Sequence, residues 1–448
     1  MERSLKLLRF FLVVACAVIS NLCASADEPA IFLRPIRLQA DSMDIDTGEA
    51  WGHSGPALAD VDGDGLRDLV VGDFSGKFRF YKNVGSNSEP KYAAFKFVQA
   101  GKTDAQVPIY CCIGSSPYFV DFDNDGTLDF ISGSYDPGEC YLFRGLTGGK
   151  FAERQTLLDK SGKPILRHPD QKQTVQSFGS WPVTVDWNND GKLDLLIGGF
   201  DGTMFVRLNE GTREKPEFSE TNIVVQAVGK DLTVPGDSAG HAAPAVVDWD
   251  GDGHWDILSG CENGGIYFFR NIGDPDSPRF GDPQVLVAPH NGNGYGEVIE
   301  VGTEPTPGIR TQIAVVDYLD RGKIDLLVGD FCTTVTPRAD LTPAERQKFQ
   351  FLRKQSAETI AAIIKQLDEL QADFAKRYPG DAIRSDEANA EWTKEYRAMG
   401  DSEQHKALET RSKELDAAMA TYLVKPSRKG AFVDYSTTHG YVWLFQRK

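Results

Sequence analysis

One nine-residue pattern recurs along the chain and limits what it can fold into. Asp60-Val-Asp62-Gly-Asp64-Gly-Leu-Arg-Asp68 is the first copy. Asp121-Phe-Asp123-Asn-Asp125-Gly-Thr-Leu-Asp129, Asp186-Trp-Asn188-Asn-Asp190-Gly-Lys-Leu-Asp194 and Asp248-Trp-Asp250-Gly-Asp252-Gly-His-Trp-Asp256 follow. Each places side-chain oxygens at positions 1, 3, 5 and 9 of a tight loop, with Gly at position 6 for the bend. Such a set suits a hard cation of calcium size. A fifth copy keeps the frame from Asp317 to Asp325 but carries Leu319 and Arg321 at positions 3 and 5. The guanidinium there takes the cation's place and pairs with Asp317 or Asp325. The expectation is four calcium loops and no fifth. The expected affinities are weak, about 10⁻⁴ to 10⁻³ M, as in extracellular modules.

The first aspartates are 61, 65, 62 and 69 residues apart, which marks a repeat architecture. The flanks repeat as well. Before four of the loops stands a small-residue turn ending in Pro: Pro56, Pro117, Pro182 and Pro244. A short apolar run leads into each loop, and a second run leaves it and ends in Gly: Gly72, Gly133, Gly198, Gly260 and Gly329. Short apolar runs between turn signals read as buried strands. A third, aromatic strand follows, as in Phe78-Arg-Phe-Tyr81 and Ile266-Tyr-Phe-Phe269, and a fourth starts near Phe151, Phe218 and Phe280. Four strands per unit, in a ring of similar units, predict an all-β fold, a β-propeller whose loops join the first and second strands of each blade.

In these motifs the chain resembles the FG-GAP and VCBS repeat proteins of the exported bacterial type, related in pattern to the integrin α-chain propellers. The resemblance covers nearly all of residues 30–340 and the C-terminus. It implies the propeller fold, while the functions of that family are diverse. Five blades is the simple count, and a sixth of unrecognised sequence stays open. Blade five has its second strand near Leu326 and its third near Tyr441. The segment Ile31–Ile36 supplies its missing fourth strand, which closes the ring and removes exposed edges.

Between those two strands of blade five the composition changes. In residues 341–426 glycine nearly disappears and Ala, Glu, Gln, Lys and Arg take over. Thr342-Pro343-Ala344-Glu345 reads as a helix start, with a capping Thr, Pro at the first position and Glu three residues after the cap. Ile360, Ile363, Leu367, Leu370 and Phe374 then follow with spacings of 3 and 4, a coiled-coil seam. Pro379-Gly380-Asp381 ends it. A second helical stretch carries Trp392, Tyr396, Met399, Leu408, Leu415, Met419 and Tyr422, broken near Gly400 and stopped by Pro426. The reading is an antiparallel helical hairpin, either a decoration of its own blade or an arm for self-association or a partner. Long insertions in surface loops cost little. The domain order is thus 1–26 signal, 27–340 propeller, 341–426 hairpin and 427–448 closing strand.

Residues 1–26 have the plan of a secretory signal: Arg3, Lys6 and Arg9, an apolar run from Phe10 to Ile19, and the small-residue site Ala24-Ser25-Ala26. Val13-Val14-Ala15-Cys16 also permits a lipoprotein reading, against which the apolar run continuing past Cys16 argues. No stretch is long enough to span a membrane. The expected location is secreted, periplasmic or cell-surface, where calcium is plentiful. The whole chain carries a net charge of −17, and an acidic surface argues against nucleic acid and anionic membranes as partners. Beyond the signal lie Cys111, Cys112, Cys140, Cys261 and Cys332. Cys140 with Cys111 or Cys112 fits a disulfide in an oxidising compartment, whereas Cys261 and Cys332 either pair or are simply buried.

A ligand is expected near the axis, at the end away from the loops. Seven residues before each loop stand His53, Gly114, Gly179, His241 and Arg310. Thirteen after the first Asp stand Asp73, Ser134, Gly199, Cys261 and Asp330, followed by Phe74, Tyr135, Phe200, Glu262 and Phe331. His53, His241, Arg310, Asp73, Glu262 and Asp330 are the candidate ligand-binding residues, gathered on the side of blades one, four and five. The structural alternative is that the aromatics pack between blades and each His satisfies backbone. No serine triad elbow, His-Glu-x-x-His motif, phosphate loop or dinucleotide fingerprint occurs. Three readings follow: a calcium-stabilised module that binds glycan or protein, a polysaccharide lyase or sugar dehydratase using the axial cluster, and a scaffold assembling through the hairpin.

Overall fold

The computed structural model describes residues 31–108, 115–136, 138–166, 179–236, 240–289, 299–303, 306–378, 386–425 and 435–448. Two compact units emerge. One comprises Ala24–Asn291, Pro305–Cys332 and Thr438–Lys448, and the other includes Gly292–Glu304 and Thr333–Thr437.

The first unit is built of small antiparallel four-stranded sheets. The first sheet orders Gly55–Ala59, Asp68–Gly72, Phe78–Tyr81 and Lys96–Phe97. The second orders Tyr118–Val120, Asp129–Gly133, Cys140–Phe143 and Gln155–Thr156. Ser180–Val185, Asp194–Gly199, Met204–Arg207 and Ile223–Val224 make the third, and Ala243–Val247, Asp256–Gly260, Ile266–Phe269 and Gln284–Val287 the fourth. In each, the aspartate loop is the hairpin between the first two strands. The second strands, such as Asp68-Leu-Val-Val-Gly72, are buried throughout. This explains why they read as unbroken apolar runs instead of alternating ones.

The fifth sheet joins both ends of the chain. Ile309–Val316 pairs with Asp325–Val335, Leu326 to Gly329 pair with Val442–Phe445, and Ile36 and Arg37 pair with Leu444 and Trp443. The N-terminal segment is therefore the fourth strand of a sheet whose third strand is C-terminal, as its sequence predicts. Phe32, Trp443 and Phe445 pack with Leu326 and Val328 in one core cluster.

Each inner strand lies against the inner strand of the next sheet, and Ile309–Val316 lies against Gly55–Ala59. Glycine permits the close approach. A Cβ on Gly72, Gly133, Gly198 or Gly260 would overlap a backbone carbonyl of the following sheet, at Ser115, Ser180, Ala242 and Thr311 respectively. A Cβ on Gly329, in the fifth sheet, would overlap the carbonyl of Ser54 in the first. The inner strands enclose a cavity of about 250 Å³ lined by Pro56, Trp181, Ala245 and Ile313 among others. The lining residues Leu58, Phe119, Val246 and Val316 toward the loops are part-exposed, as is Ser116 at the other strand end.

The second unit is helical. Pro343–Arg377 starts with the anticipated capping box: Thr342 Oγ1 accepts from Glu345 N and Glu345 Oε2 accepts from Thr342 N. Leu367 and Phe374 of its seam are buried against Ala388 and Trp392. The second arm is two helices, Asp386–Asp401 and Glu403–Ala420. The break falls at Ser402, whose hydroxyl caps the later helix through His405 N. This unit also takes in Ile299–Glu300, which pairs in parallel with Thr334 and Val335. Gln350 and Arg353 of the long helix donate to the Glu300 carboxylate. The turn at 379–381 and Pro426 lie outside the described residues.

Candidate functional site

In the aspartate loops the sixth residues Gly65, Gly126, Gly191, Gly253 and Gly322 have φ of 88, 82, 82, 90 and 70°. The fourth positions Gly63, Asn124, Asn189, Gly251 and Asp320 are also left-handed, a conformation that Gly, Asn and Asp adopt most cheaply. Curled in this way, the backbone turns its N–H groups inward onto the first carboxylate. Asp60 accepts from Gly63, Asp64 and Gly65 at 2.8–3.0 Å, and Asp248 accepts from Gly251, Asp252 and Gly253. Asp121 and Asp186 each accept from positions 5 and 6. The fifth-position residues Asp64, Asp125, Asp190 and Asp252 accept from position 7.

The ninth aspartate has a role that the loop pattern alone does not disclose. Asp68 is buried and ties the loop to the third strand, accepting from Val61 N and Asn83 N. Asp129, Asp194 and Asp256 repeat this with Phe122 and Gly145, Trp187 and Asn209, and Trp249 and Asn271. The recurring Asn-x-Gly at 83–85, 209–211 and 271–273 was the available signal. Burial pushes the Asp68 and Asp194 carboxyls up to about 6, with the Asp62 charge adding at Asp68. Burial likewise raises Asp129 and Asp256.

The third position differs from the other three. Asp62 Oδ1, Asp123 Oδ1 and Asn188 Oδ1 are buried and have no hydrogen-bond partner among the described residues. Oxygens of Asp60, Asp62 and Asp68 lie within 4.8 Å of one another, as do those of Asp121, Asp123 and Asp129 and of Asp248, Asp250 and Asp256. Converging carboxylates with an unmet inward oxygen fit a hard divalent cation. Basic side chains meet the loop rims. Lys82 Nζ contacts Asp62 and lies 2.7 Å from Asp64, and Arg144 contacts Asp123. Arg270 reaches Asp250 at 2.7 Å and Asp252 at 2.9 Å. In the third loop Lys192 lies 2.9 Å from Asp190.

In the fifth loop Arg321 Nη2 donates to both oxygens of Asp325, at 2.8 and 2.9 Å. Of the two partners foreseen, Asp325 takes the guanidinium, and Asp317 instead accepts backbone N–H groups from Arg321 and Gly322.

The axial candidates separate into three groups. Glu262, Arg310 and His53 meet: Arg310 Nε donates to Glu262 Oε1 at 2.8 Å, and Arg310 Nη1 lies 3.3 Å from His53 Nε2. His241 Nδ1 stands 3.5 Å from Glu262 Oε2. Asp73 instead pairs with the buried Arg79 at 2.8 Å. Asp330 accepts from Gly308 N, Tyr441 N and Trp443 Nε1. The first four residues are at most 5% exposed, so they form a buried plug instead of the open pocket anticipated away from the loops. The aromatics pack as the structural alternative holds: His53 stacks between Phe74 and Phe331, and His241 against Trp181. Backbone geometry accounts for the uneven residue pattern here. His53, His241 and Arg310 have φ of 63, 47 and 56°, and Gly179 has 76°; glycine is the unstrained choice, and the three larger residues carry local strain. Gly114 lies outside the described residues.

Burial holds the His53 imidazole well below its ordinary value, helped by Arg310 and His241, and burial also lowers His241. Burial raises the Glu262 carboxyl, but Arg310 and His241 outweigh it and hold it low. The plug therefore combines one compensated ion pair with two neutral imidazoles. Cys140, Cys261 and Cys332 are buried thiols, so Cys261 and Cys332 are not bridged to each other. Cys111 and Cys112 lie outside the described residues, as does the signal segment.

FG-GAP-like repeats are found at residues 60–132 and 186–259. Cartilage acidic protein 1 of Mus musculus and of Homo sapiens are each 24% identical to the chain over 160 residues, 35% of this chain and 22% of theirs. The Xenopus tropicalis protein of that name is 27% identical over 161 residues. The match thus spans about a fifth of the length of these curated relatives. Among solved structures, BBS1N in complex with ARL6DN aligns with 62% of this chain and 77% of that one, at 13% identity and a TM-score of 0.30, a likeness too slight to carry an argument.

Proposed function

We propose that the chain is an exported interaction module: a five-bladed β-propeller, stabilised by calcium in its first four loops, that binds a glycan or protein partner. The observation that carries the calcium assignment is the third loop position. Asp62, Asp123 and Asn188 each leave a buried oxygen unmet, beside carboxylates already oriented by backbone N–H groups. Asp60, Asp62, Asp64 and Asp68, and their equivalents through Asp256, would hold the ion, which supplies charge neutralisation and a cross-link between loop and hairpin. The propeller reading draws its support from the contacts between successive inner strands, including that between the fifth and first sheets. The interaction role draws its support from the FG-GAP-like repeats. Export draws its support from the signal plan of residues 1–26, and no described helix is long and apolar enough to cross a membrane.

The lyase or dehydratase reading loses its main support, because a catalytic base must reach substrate and the axial residues are buried. Calcium per chain, measured by equilibrium dialysis, is expected to saturate at four. A glycan array and a surface-protein capture, each run with calcium and with EDTA, are expected to show calcium-dependent binding. Zero calcium at saturation would sink the metal assignment. Binding indifferent to calcium would separate the interaction role from the loops.

A further inference from the structure

The fifth loop lacks two of the four ligand positions, yet its sheet holds both ends of the chain. Leu326 to Gly329 pair with Val442–Phe445, and Ile36 and Arg37 pair with Leu444 and Trp443. Loops one to three each leave a buried third-position oxygen unmet, at Asp62, Asp123 and Asn188, and the fifth leaves none among the described residues. Its third position is Leu319, which packs against the cluster of Leu69, Tyr318, Leu327 and Leu444. Its fifth position is Arg321, whose guanidinium holds both oxygens of the buried Asp325. Asp325 also accepts from Arg447 N, as the ninth aspartate of each other loop accepts from the end of its third strand. The loop thus keeps its frame with an apolar side chain and a tethered cation at the ligand positions. A tethered charge cannot dissociate, whereas weak extracellular calcium sites empty as calcium falls.

Ties run from this sheet to the fourth and to the first. Arg447 Nη1 donates to Trp249 O in the fourth loop at 2.9 Å, and the guanidinium covers the Trp249 ring at 4.3 Å. On the other side Arg67 of the first loop donates to Asp317 O and lies 3.6 Å from Asp320. Apolar packing follows the same two seams. One core cluster joins Trp249 and Leu258 of the fourth sheet to Leu326, Val328 and Phe445. Another joins Leu69 and Tyr81 of the first sheet to Leu327, Val442 and Leu444, and to Leu38 of the N-terminal segment. None of these contacts involves a side-chain oxygen assigned to calcium.

We propose that the fifth loop is a calcium-independent lock. Arg321 and Leu319 hold the sheet that pairs both chain ends, and with it the packing on the first and fourth sheets, when the first four loops lose their ions. Calcium then orders four loops locally and reversibly while the pairing of the termini persists. A chain built in this way can empty and refill its loops without releasing its ends. The proposal rests on the calcium assignment of the first four loops.

The test compares the full chain in excess calcium and in EDTA by amide hydrogen exchange, read by mass spectrometry. Peptides covering 60–68, 121–129, 186–194 and 248–256 are expected to exchange about ten-fold faster or more in EDTA, as local opening predicts. Peptides covering 317–329 and 442–447 are expected to exchange at one rate in both. Faster exchange of these fifth-sheet peptides in EDTA overturns the lock while the calcium assignment of the other loops stands. No change in any peptide overturns the calcium assignment and, with it, the distinction between the loops. Leu319→Asp with Arg321→Asp supplies the contrast. In calcium this variant is expected to protect 442–447 as the parent does, and in EDTA to lose that protection by about ten-fold. Protection equal to the parent's in EDTA overturns the role of Arg321 and Leu319. If the double variant fails to fold, Arg321→Lys keeps the charge and gives up the two-oxygen contact. Exchange over 442–447 is then expected to rise in calcium and in EDTA alike, and unchanged exchange overturns the proposal.

Discussion

Lys82, Arg144 and Arg270 stand on carboxylates that the proposed calcium also needs. A tethered ammonium and a divalent ion compete for Asp62 and Asp64, so Lys82→Met is expected to tighten calcium binding at the first loop. The pair is part-exposed, and such contacts are worth about 0.2–1 kcal/mol, so the gain is at most about five-fold, read by calorimetric titration. An unchanged or weaker affinity would remove Lys82 from the competition. The fifth loop offers the converse experiment. Leu319→Asp with Arg321→Asp restores the pattern, and saturation is expected to rise from four calcium ions per chain to five. Asp330 supplies a pH signature. Burial raises its carboxyl to about 6 from an ordinary 3.8, so the folded state holds the proton more tightly than the unfolded chain. The stability this adds is full below pH 3.8 and is lost as pH rises through 6. About two units correspond to about 3 kcal/mol. Asp330→Asn cannot titrate, so its deficit relative to the parent is expected to be larger near pH 4.5 than near pH 7.5. Urea unfolding at both pH values reads this, and an equal deficit at both refutes it.

At the scale of elements, the close approach of neighbouring sheets depends on one glycine per repeat. Gly260→Ala drives a methyl group into the carbonyl of Thr311, and the strands part to admit it. The expected loss is about 1–3 kcal/mol or more. Gly400→Ala is the contrast. It sits in a helix with nothing within 4 Å of its Cβ position, and it is expected to stabilise the helical unit by up to about 1 kcal/mol. Equal effects of the two changes in chemical denaturation would dispose of the packing argument. The helical insertion leaves the fifth sheet after its second strand and returns as the adjacent third, which pair over Leu326 to Gly329. Because neighbouring antiparallel strands need only a short connection, replacing residues 341–425 with a short Gly/Ser linker is expected to leave calcium stoichiometry unchanged. A loss of bound calcium in that deletion would show that the insertion holds the sheets in place. Light scattering of the same deletion tests the hairpin as an arm for self-association.

For the whole molecule, calcium is expected to act as four separate stabilisers, one in each of the first four sheets. With sites of about 1 mM affinity, about 10 mM calcium adds roughly 1.4 kcal/mol per site, or about 5–6 kcal/mol in all. EDTA is therefore expected to lower the melting temperature by many degrees, with recovery on adding calcium back. A melting curve indifferent to EDTA would overturn the metal assignment. The pairing of the first strand with the last makes its own demand. Removing residues 31–38 strips the fourth strand from the fifth sheet and bares Val442–Phe445 as an edge, so aggregation at concentrations the parent tolerates is the expected result.

The periodicity of the aspartate loops and the apolar runs around them were enough to place each four-stranded unit, the pairing of both chain ends in the fifth sheet and the helical capping box. These depend on local chemistry: side-chain spacing, Gly at a left-handed bend, Pro at a helix start. Tertiary structure alone decided that Asp73 serves Arg79, that Asp330 serves Trp443, and that His53 and His241 are buried beside Arg310 and Glu262. Those outcomes turn on which residues from distant repeats meet, and residue spacing along one repeat carries no such information.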